Sequence, residues 1–390
     1  MKRLLNLLLV LTLTFGCLYA FAACSNNKNT SDVVSGAVYQ IKKDFDGKEY
    51  AVLTKYRLND EDAEKVANGE FDKIENVETL RNPVINVYET KNDKGDTVTY
   101  EVREVAESAF SGQAILKTVT FGENVKKLGA ACLAGCSNLE KITATFVGEA
   151  AEAFNEKKTM GYLFGTSEAD GTTSTTVKYN GASGSNTYYV PASLKEIEIK
   201  NAADYVIPDY AFYGMPCETV TIANLTAIGE GTFGGMTSLA KYKVPATVKS
   251  IGNSAFEGCT ALLKVDFSAA TQLTSIGKKA FAGCTKLGKA NYANEGIVTI
   301  PDSVTFVGER VFEGCTSLKK VVFGAGVTKI EEATFSDCTA LETVEFKSNA
   351  TILLGVMSFH NCEKLNSLTS ANGGTLDSFK AGSPSAFDNI

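Results

Sequence analysis

The chain has 390 residues with 38 Lys and Arg against 45 Asp and Glu, and its net charge of −7 argues against a nucleic-acid-binding protein. Hydrophobic residues make up 44% of the chain, which excludes disorder throughout. The single histidine, His360, excludes metal sites built from several histidines and leaves a serine or cysteine nucleophile one possible imidazole base.

Residues 1–23 have the pattern of an export signal. Lys2 and Arg3 precede an apolar run, and small residues then lead to Cys24. This ending resembles the lipobox of bacterial lipoproteins, and the resemblance implies cleavage before Cys24 and attachment of a lipid to its sulfur. Two alternatives stay open: cleavage after an Ala-x-Ala-like site, which leaves a secreted protein, or an uncleaved apolar helix long enough to span a bilayer.

The next two segments differ in composition. Residues 24–37 are mostly small and polar, which predicts a flexible tether. Residues 38–101 contain strand-like runs and turn residues, and they predict an N-terminal β-rich cap with one or two helical turns near 59–65. The acidic turns at 44–47 and 92–96 lack the twelve-residue spacing of a calcium loop, so we interpret them as hairpin turns.

One repeated pattern, I-G-x-x-A-F-x-G-C-x-x-L-x-x-V-x-F, covers residues 102–368. A repeat this short cannot bury its own apolar face, so stacked copies predict a β-rich solenoid of short strands, tight turns and 3₁₀ segments. The Gly of the I-G pair is expected where a β-carbon would obstruct the backbone. The repeated phenylalanine occupies positions Phe110, Phe212, Phe233, Phe256, Phe281, Phe312, Phe335 and Phe359, and Leu133 replaces it once.

The repeat is similar to that of the BspA-like leucine-rich-repeat family of bacterial cell-surface proteins. This resemblance implies a right-handed curved solenoid, a location on the outer face of the cell, and adhesion to proteins, glycans or neighbouring cells. It also implies that residues 161–190 are an insertion, whose Gly, Ser and Thr content predicts an exposed loop. Residues 369–390 carry one more A-F motif and are expected to form a C-terminal half-repeat that closes the last layer.

Six cysteines share one position of the repeat. Their common phase predicts a buried ladder of thiols pointing into the core, where each acts as a small apolar residue and a weak hydrogen-bond donor. Disulfides and metal ligation are the alternatives, but Met215 and Met236 replace the cysteine in two turns, and methionine forms no disulfide. The ladder comprises Cys136, Cys259, Cys284, Cys315, Cys338 and Cys362.

The outward positions of the strands form the candidate binding surface. In four consecutive repeats the position before the inward residue is lysine, namely Lys241, Lys264, Lys289 and Lys320. Strands about 4.8 Å apart would bring these lysines into one column. Two interpretations remain open: a basic stripe for an anionic partner, such as an acidic glycan or protein segment, or a solvated sheet face.

We therefore expect a lipid-anchored surface protein whose solenoid binds protein or glycan ligands, with no cofactor, no metal and no nucleic-acid partner. His360, at the variable position after Phe359, is expected to face solvent, and no catalytic motif is recognised. Two rivals stay open: a structural envelope lipoprotein without a host ligand, and an anchored hydrolase with paired carboxylates in the cap or in the 161–190 loop.

Overall fold

The structure, a computed structural model, describes residues 35–180, 184–203, 205–289 and 297–387. The proposed lipidation site Cys24 and the signal segment before it lie outside the described residues.

The described chain begins with an antiparallel hairpin of β1 (Gly36–Lys43) and β2 (Glu49–Arg57). At its turn, the Asp46 and Lys48 N–H groups donate to Asp44 Oδ1 at 3.1 and 2.9 Å. The Arg103 guanidinium lies 2.6 Å from the other oxygen of Asp44. The carboxylate is thus engaged in holding the turn, which agrees with the interpretation of 44–47 as a hairpin turn rather than a calcium loop.

Two short helices follow the hairpin, α1 (Asp60–Ala67) and α2 (Val77–Arg81), with a 3₁₀ turn at Phe71–Lys73 between them. Helix α1 begins where Asn59 Oδ1 accepts a hydrogen bond from the Asp62 N–H at 2.7 Å. This N-cap satisfies one of the amides that a helix leaves free in its first turn.

Three strands join this region to the repeats: β3 (Val84–Ile85), β4 (Val87–Lys91) and β5 (Thr97–Val105). Strand β3 pairs in parallel with β6 (Thr118–Phe121), and β5 pairs in parallel with both β2 and β7 (Lys127–Leu128). Parallel pairing with the repeats therefore begins inside the segment 38–101 that the sequence assigns to a cap. The N-terminal hairpin continues a sheet of the solenoid and is not a separate layer.

The strands that follow are two to seven residues long. In chain order they are β8 (Lys141–Ala144), β9 (Thr172–Lys178), β10 (Ser185–Pro191), β11 (Glu196–Ile199), β12 (Thr219–Ile222), β13 (Lys241–Lys243), β14 (Ser250–Ile251), β15 (Lys264–Asp266), β16 (Ser275–Ile276), β17 (Ile297–Ile300), β18 (Phe306–Val307), β19 (Lys320–Phe323), β20 (Lys329–Ile330), β21 (Thr343–Phe346), β22 (Leu353–Leu354) and β23 (Ser367–Ser370).

The repeats stack these strands into two series. The front series has three sheet segments, β3-β6-β8-β11-β12, then β13-β15, then β17-β19-β21-β23. The rear series comprises β5-β7, β14-β16-β18 and β20-β22. Pairing between repeats is parallel throughout both series. The prediction of a β-rich solenoid of short strands is confirmed.

Side-chain alternation along the front strands builds the core. In β12, Val220 and Ile222 are buried while Thr219 and Thr221 are exposed, because successive residues of a strand point to opposite faces. Behind these strands the repeated phenylalanines stack, with neighbouring ring centroids 5.0–5.7 Å apart from Phe212 to Phe359. The core is therefore one continuous cluster that runs the length of the repeats.

Most repeats also bend at two positions that favour glycine, although Asp337 and Asn361 occupy the second one in two repeats. After the two-residue strand β16, a β-carbon on Gly277 would lie 2.7 Å from the backbone nitrogen of Asn253 in the preceding repeat. Gly258 instead has a φ of +73°, which glycine adopts without steric cost. The I-G-x-x-A-F part of the repeat is thus a short strand followed by tight turns.

The insertion at 161–190 is not the exposed loop that its composition predicts. Strands β9 and β10 form an antiparallel hairpin, and Met160 and Leu163 in a 3₁₀ turn before it are completely buried. Val177 and Tyr188 of the hairpin are also buried in the core cluster. The prediction was wrong because Val177, Tyr188 and Val190 pack into the core cluster, although Ser and Thr make up most of the first strand of the hairpin.

The C-terminal half-repeat covers the last layer. The Phe387 ring stacks on Phe359 with centroids 5.2 Å apart, and the Phe359 N–H donates to the Ala386 carbonyl at 2.8 Å. Helix α3 (Leu376–Gly382) precedes this contact and begins with a capping box between Thr375 and Ser378. Within the described ranges, no helix has the length and the apolar composition needed to cross a membrane.

Candidate functional site: the front strand face

The six ladder cysteines occupy one position of the repeat along the core, and all are buried. Each Sγ donates to the carbonyl oxygen of a repeat phenylalanine in the preceding turn, at 3.0–3.2 Å. The donor–acceptor pairs are Cys136–Phe110, Cys259–Phe233, Cys284–Phe256, Cys315–Phe281, Cys338–Phe312 and Cys362–Phe335. In the structure these cysteines are free thiols, and so are Cys132 and Cys217.

Burial also sets the chemistry of these thiols. It raises the pKa of Cys136 and of Cys362 to about 12, and it raises the pKa values of Cys284, Cys315 and Cys338 well above their usual range. Nucleophilic attack and metal binding both require the thiolate. Thiols held neutral in this way act as packing and hydrogen-bonding groups.

His360 does not face open solvent as the sequence predicts. It is half-buried, and its Nδ1 is buried without a hydrogen-bond partner among the described residues. The equivalent positions in other repeats, Ala282 and Ser336, are each only 5% exposed. The prediction was wrong because the residue after the repeated phenylalanine lies between adjacent turns, where its peptide also pairs: the Asp337 N–H donates to the His360 carbonyl at 2.8 Å.

The predicted column of four lysines is not formed. Lys241 and Lys264 do stand opposite each other on β13 and β15. The residue opposite Lys320 on the preceding strand is Ile297, and Lys289 is an exposed residue before the break in the described chain. The longer spacing between Phe281 and Phe312 moves the next strand from Lys289 to Ile297, so a lysine chosen by template position falls outside the sheet.

Charges on the front face fall into three parts. In the N-terminal part, Lys141 Nζ lies 2.8 Å from Glu196 and 3.2 Å from Glu198. In the C-terminal part, Lys320 Nζ lies 3.1 Å from Glu345. These lysines are therefore locally neutralised, and they contribute little positive field to the face.

The middle part is different. Lys241, Lys243 and Lys264, here named the lysine cluster, are exposed, and none forms an ion pair with another described residue. Asp266 stands opposite Lys243 in the strand register. A hydrogen bond from the Ser268 N–H lowers the pKa of Asp266, and Lys264 and Lys243 lower it further, so this carboxylate is ionised at neutral pH. The cluster retains an excess of two positive charges.

Beside the lysine cluster the front series opens into a cleft. Strand β15 pairs only with β13 and β17 only with β19 within the described chain, so these neighbouring repeats do not share a sheet here. The rear series stays joined at the same level, because β16 pairs with β18. The cleft has a volume of about 480 Å³, and its lining residues are Lys264, Val265, Asp266, Phe267, Ser268, Ala270, Thr271, Ile297, Thr299 and Pro301.

The repeat pattern alone does not predict this cleft. Two features of the sequence are consistent with it. The 31-residue spacing between Phe281 and Phe312 exceeds that of the neighbouring repeats and indicates an insertion. Pro301 has no backbone N–H to donate to a neighbouring strand. An insertion between two strands can either extend a turn or separate the strands, and composition alone does not distinguish these outcomes.

Carboxylates that come together in the described structure share a cation: Glu196 and Glu198 both contact Lys141, and Asp44 and Glu101 both contact Arg103. The carboxyl groups with a shifted pKa are Asp44, Glu101, Glu198, Asp266 and Glu309, and in each the pKa is lowered. A glycosidase-type general acid instead has a raised pKa. In the described ranges, no three His, Cys, Asp or Glu side chains converge as a metal site would need.

Comparison with known proteins places the chain in a family. A model described as the BspA type leucine-rich-repeat region matches residues 86–158, 183–298 and 290–387 in six copies. No curated protein matches significantly.

Solved structures of bacterial leucine-rich-repeat proteins are similar to this chain over most of their lengths. A leucine-rich repeat protein from Bacteroides ovatus is 19% identical, with 85% of this chain and 80% of that chain covered and a TM-score of 0.43. A leucine-rich cell surface protein from Faecalibacterium prausnitzii is 18% identical, with coverage of 84% and 96% and a TM-score of 0.30. With the family model matching well over half of its residues, the chain belongs to the BspA-type leucine-rich-repeat family.

Proposed function

We propose that this protein is a lipid-anchored bacterial surface protein that binds acidic macromolecules at the middle of its front strand face. The observation that carries the proposal is the lysine cluster. Three exposed lysines without an ion-pair partner among the described residues form a positive region on a chain with a net charge of −7. Such a region attracts an anionic partner to one face of a molecule whose net charge is negative.

The neighbouring parts of the same face support this location. Lys141 and Lys320 already have carboxylate partners at 2.8–3.2 Å, so a ligand would have to displace those contacts before it could use the lysines. The lysine cluster requires no such exchange. The original candidates Lys289 and Lys320 are accordingly not part of the proposed binding surface, and Lys243 is added to it.

The test is binding of the protein from residue 35 onward to heparin and to polyglutamate over a range of salt concentrations. Binding should weaken as salt rises, because exposed charges are screened. Changing Lys241, Lys243 and Lys264 together to Gln should reduce the affinity for whichever polymer binds. The matched control changes Lys127, Lys278 and Lys329 to Gln, which removes the same number of charges from ion-paired positions off the front strands. Equal losses in both variants would contradict the proposal.

Attachment to the membrane is the second element of the proposal, and it depends on the lipobox-like sequence that ends at Cys24. Cys24→Ala should leave an unlipidated protein that is shed or retained as a precursor. If the variant still enters the detergent phase and still incorporates a fatty-acid analogue, the protein is anchored in another way or elsewhere.

We further infer that the protein acts by binding and not by catalysis. The family and the lowered carboxyl pKa values of the described residues support this. A screen of glycoside, ester and peptide substrates that detects turnover, abolished by a carboxylate substitution in the N-terminal segment or in the β9–β10 hairpin, would favour the hydrolase alternative.

A further inference from the structure

The front series is interrupted between β12 and β13 as well as beside the cleft, and this interruption leaves strand edges next to the lysine cluster. It lies inside residues 205–289, which the structure describes without a gap. We propose that an extended acidic segment of a partner polypeptide enters here and adds to the edges of β12 and β13 as a further strand. This inference rests on the proposed function and deepens it, since it names the class of partner that the lysine cluster attracts.

The first step concerns the direction of the backbone groups at the interruption. The Ala223 N–H, just after β12, donates back to β11, and the Val244 N–H, just after β13, donates forward to β15. N–H and C=O groups point to alternate sides along a strand, so those of the residue before each of these point into the interruption. The groups that face the interruption are those of Val220 and Ile222 on β12 and of Lys241 and Lys243 on β13.

The second step concerns what lies opposite these groups. Among the described residues, no strand pairs with β12 or β13 on this side. Most Cα pairs between β12 and β13 are more than 8 Å apart, whereas most of those between the paired strands β11 and β12 lie within 8 Å. An added strand needs about 9.6 Å between its two neighbours, twice the usual strand spacing. Unpaired edges at such a separation are a template for another extended chain, whose main-chain hydrogen bonds supply affinity.

The interruption is confined to the front of the solenoid. At the rear the same two repeats stay joined, because Ile228 forms a parallel bridge with Ile251 in the next repeat. At the front, Ile222 is 8% exposed beside the interruption, whereas Ile199 at the equivalent position of the paired strand β11 is completely buried. Solvent therefore reaches the strand edges while the repeats remain stacked, and a ligand can do so without separating them.

The third step concerns side chains. Lys241 and Lys243 are exposed on β13, and Lys264 stands opposite Lys241 on the following strand, so acidic residues on the outward side of the added strand would meet positive charge. Glu218, exposed just before β12, opposes part of this attraction. On the inward side Tyr242 is 8% exposed, so an apolar residue fits beside it. The fitting sequence therefore alternates acidic and β-branched residues, which also favour the extended conformation.

The first measurement uses an end-capped eight-residue peptide of alternating valine and glutamate, and a matched peptide that is N-methylated at every second residue. Methylation removes the backbone donors along one edge of the peptide but keeps every charge. We expect the unmodified peptide to bind about tenfold or more tightly than the methylated one. Equal affinities, or no binding of the unmodified peptide, would overturn strand addition.

The second measurement is amide hydrogen exchange by NMR with and without the peptide. The amides of Ile222 and Lys243 should exchange rapidly in the free protein and slowly in the complex. Ala223 and Val244 provide internal controls, because their amides already donate to neighbouring strands and should be protected in both states. Protection of Ile222 and Lys243 before any peptide is added would show that the two edges are already paired and would overturn the proposal.

The outcomes separate this inference from the proposed function. If heparin or polyglutamate binds in a manner that depends on the lysine cluster, but the peptide leaves Ile222 and Lys243 unprotected, the acidic ligand lies on the face and only the strand addition fails. If the triple Gln variant binds every anionic probe as well as the native protein does, the proposed function fails too. A loss of peptide binding in the triple variant, with the Lys127, Lys278 and Lys329 control unchanged, supports both.

Discussion

The interior of the solenoid and its front face differ in how regularly residue types recur from repeat to repeat, although the same repeats build both. Inside, one residue type occupies the same position in turn after turn, as the phenylalanine stack and the cysteine ladder show. On the face, charge changes from one segment to the next, from the paired Lys141 to the unpaired lysine cluster. Packing restricts the interior to a few residue types, whereas solvent tolerates nearly any outward side chain.

This contrast teaches where sequence variation carries information. A repeat position that contacts the turns on both sides is constrained by two neighbours, so its residue type reports on the fold. An outward position is constrained weakly by its neighbours in the sheet, so a local concentration of one charge there requires a different explanation. Four experiments test the contrast, from the largest expected effect to the smallest.

Alkaline pH should destabilise the interior most strongly. Burial raises the pKa of thiols such as Cys136 and Cys362 to about 12, whereas the unfolded chain ionises its thiols near pH 9. The stabilisation that the folded state gains from these neutral buried thiols is therefore fully present below pH 9, and it is lost as the pH rises towards 12. The expected slope is about 1.4 kcal/mol per pH unit for each thiol whose pKa is raised by burial, measured by urea unfolding between pH 7 and 11.

The matched variant for this measurement replaces Cys136 and Cys362 with Ala. This variant should have a lower free energy of unfolding at pH 7. Its free energy of unfolding should also fall less steeply with rising pH, because two of the buried thiols are gone. An unfolding free energy that stays constant from pH 8 to pH 10.5 would contradict the burial of neutral thiols.

Removing one ring from the phenylalanine stack should have the next largest effect. Phe281→Ala should cost about 3–5 kcal/mol, because the ring is completely buried and stacks on both Phe256 and Phe312. Phe45→Ala is the control, since Phe45 is fully exposed at the tip of the first hairpin and its loss should cost less than about 0.5 kcal/mol. Similar shifts in the denaturation midpoint for both variants would show that the stack is not the core.

A methyl group at the bend of one repeat should have a smaller effect. In Gly277→Ala the new carbon would lie 2.7 Å from the Asn253 backbone nitrogen, so adjacent turns must separate, at a cost of about 1–3 kcal/mol. Gly382→Ala is the control, since no atom lies within 4 Å of the corresponding position. Thermal unfolding of both variants decides the point, and an unchanged midpoint for Gly277→Ala would mean that the turns are packed less closely than described.

The lysine cluster should contribute least to stability. The triple change of Lys241, Lys243 and Lys264 to Gln should alter the unfolding free energy by less than about 0.5 kcal/mol per site, because surface substitutions away from specific contacts seldom do more. Lys141→Gln should cost slightly more, up to about 1 kcal/mol, because it leaves Glu196 without its partner and leaves Glu198 with Lys200 alone as a cationic partner. A large loss of stability in the triple variant would make the cluster a structural feature instead of a binding surface.

The same contrast explains what the sequence could predict. Phe281, Cys284 and Gly277 were identified from the template because neighbouring turns require them at a fixed period. Lys289 was placed wrongly because the outward register depends on where the strand resumes after an insertion, and apolar Ile297 takes the position opposite Lys320. Nothing in the local sequence fixes the residue at which the strand begins after the insertion, since an outward position accepts both lysine and isoleucine.

The hairpin of the insertion was missed for a related reason. Its Gly, Ser and Thr content is typical of loops, but tertiary packing of Val177 and Tyr188 decides its conformation. The cleft lies where two strands of the described chain do not pair, and the long spacing between Phe281 and Phe312 marks an insertion there without showing whether the strands separate. The proposed lipid on Cys24 stays a prediction from the sequence.

The parallel stacking of the turns has a mechanical consequence. The hydrogen bonds that join neighbouring turns run along the solenoid axis, so a force applied between the two ends stretches them directly. Where the front series is interrupted between β15 and β17, the rear pairing of β16 with β18 and the Phe281–Phe312 stack bear that load. The front series is interrupted again between β12 and β13, where the bridge between Ile228 and Ile251 joins the rear, so among the described residues tension along the axis concentrates on these two layers.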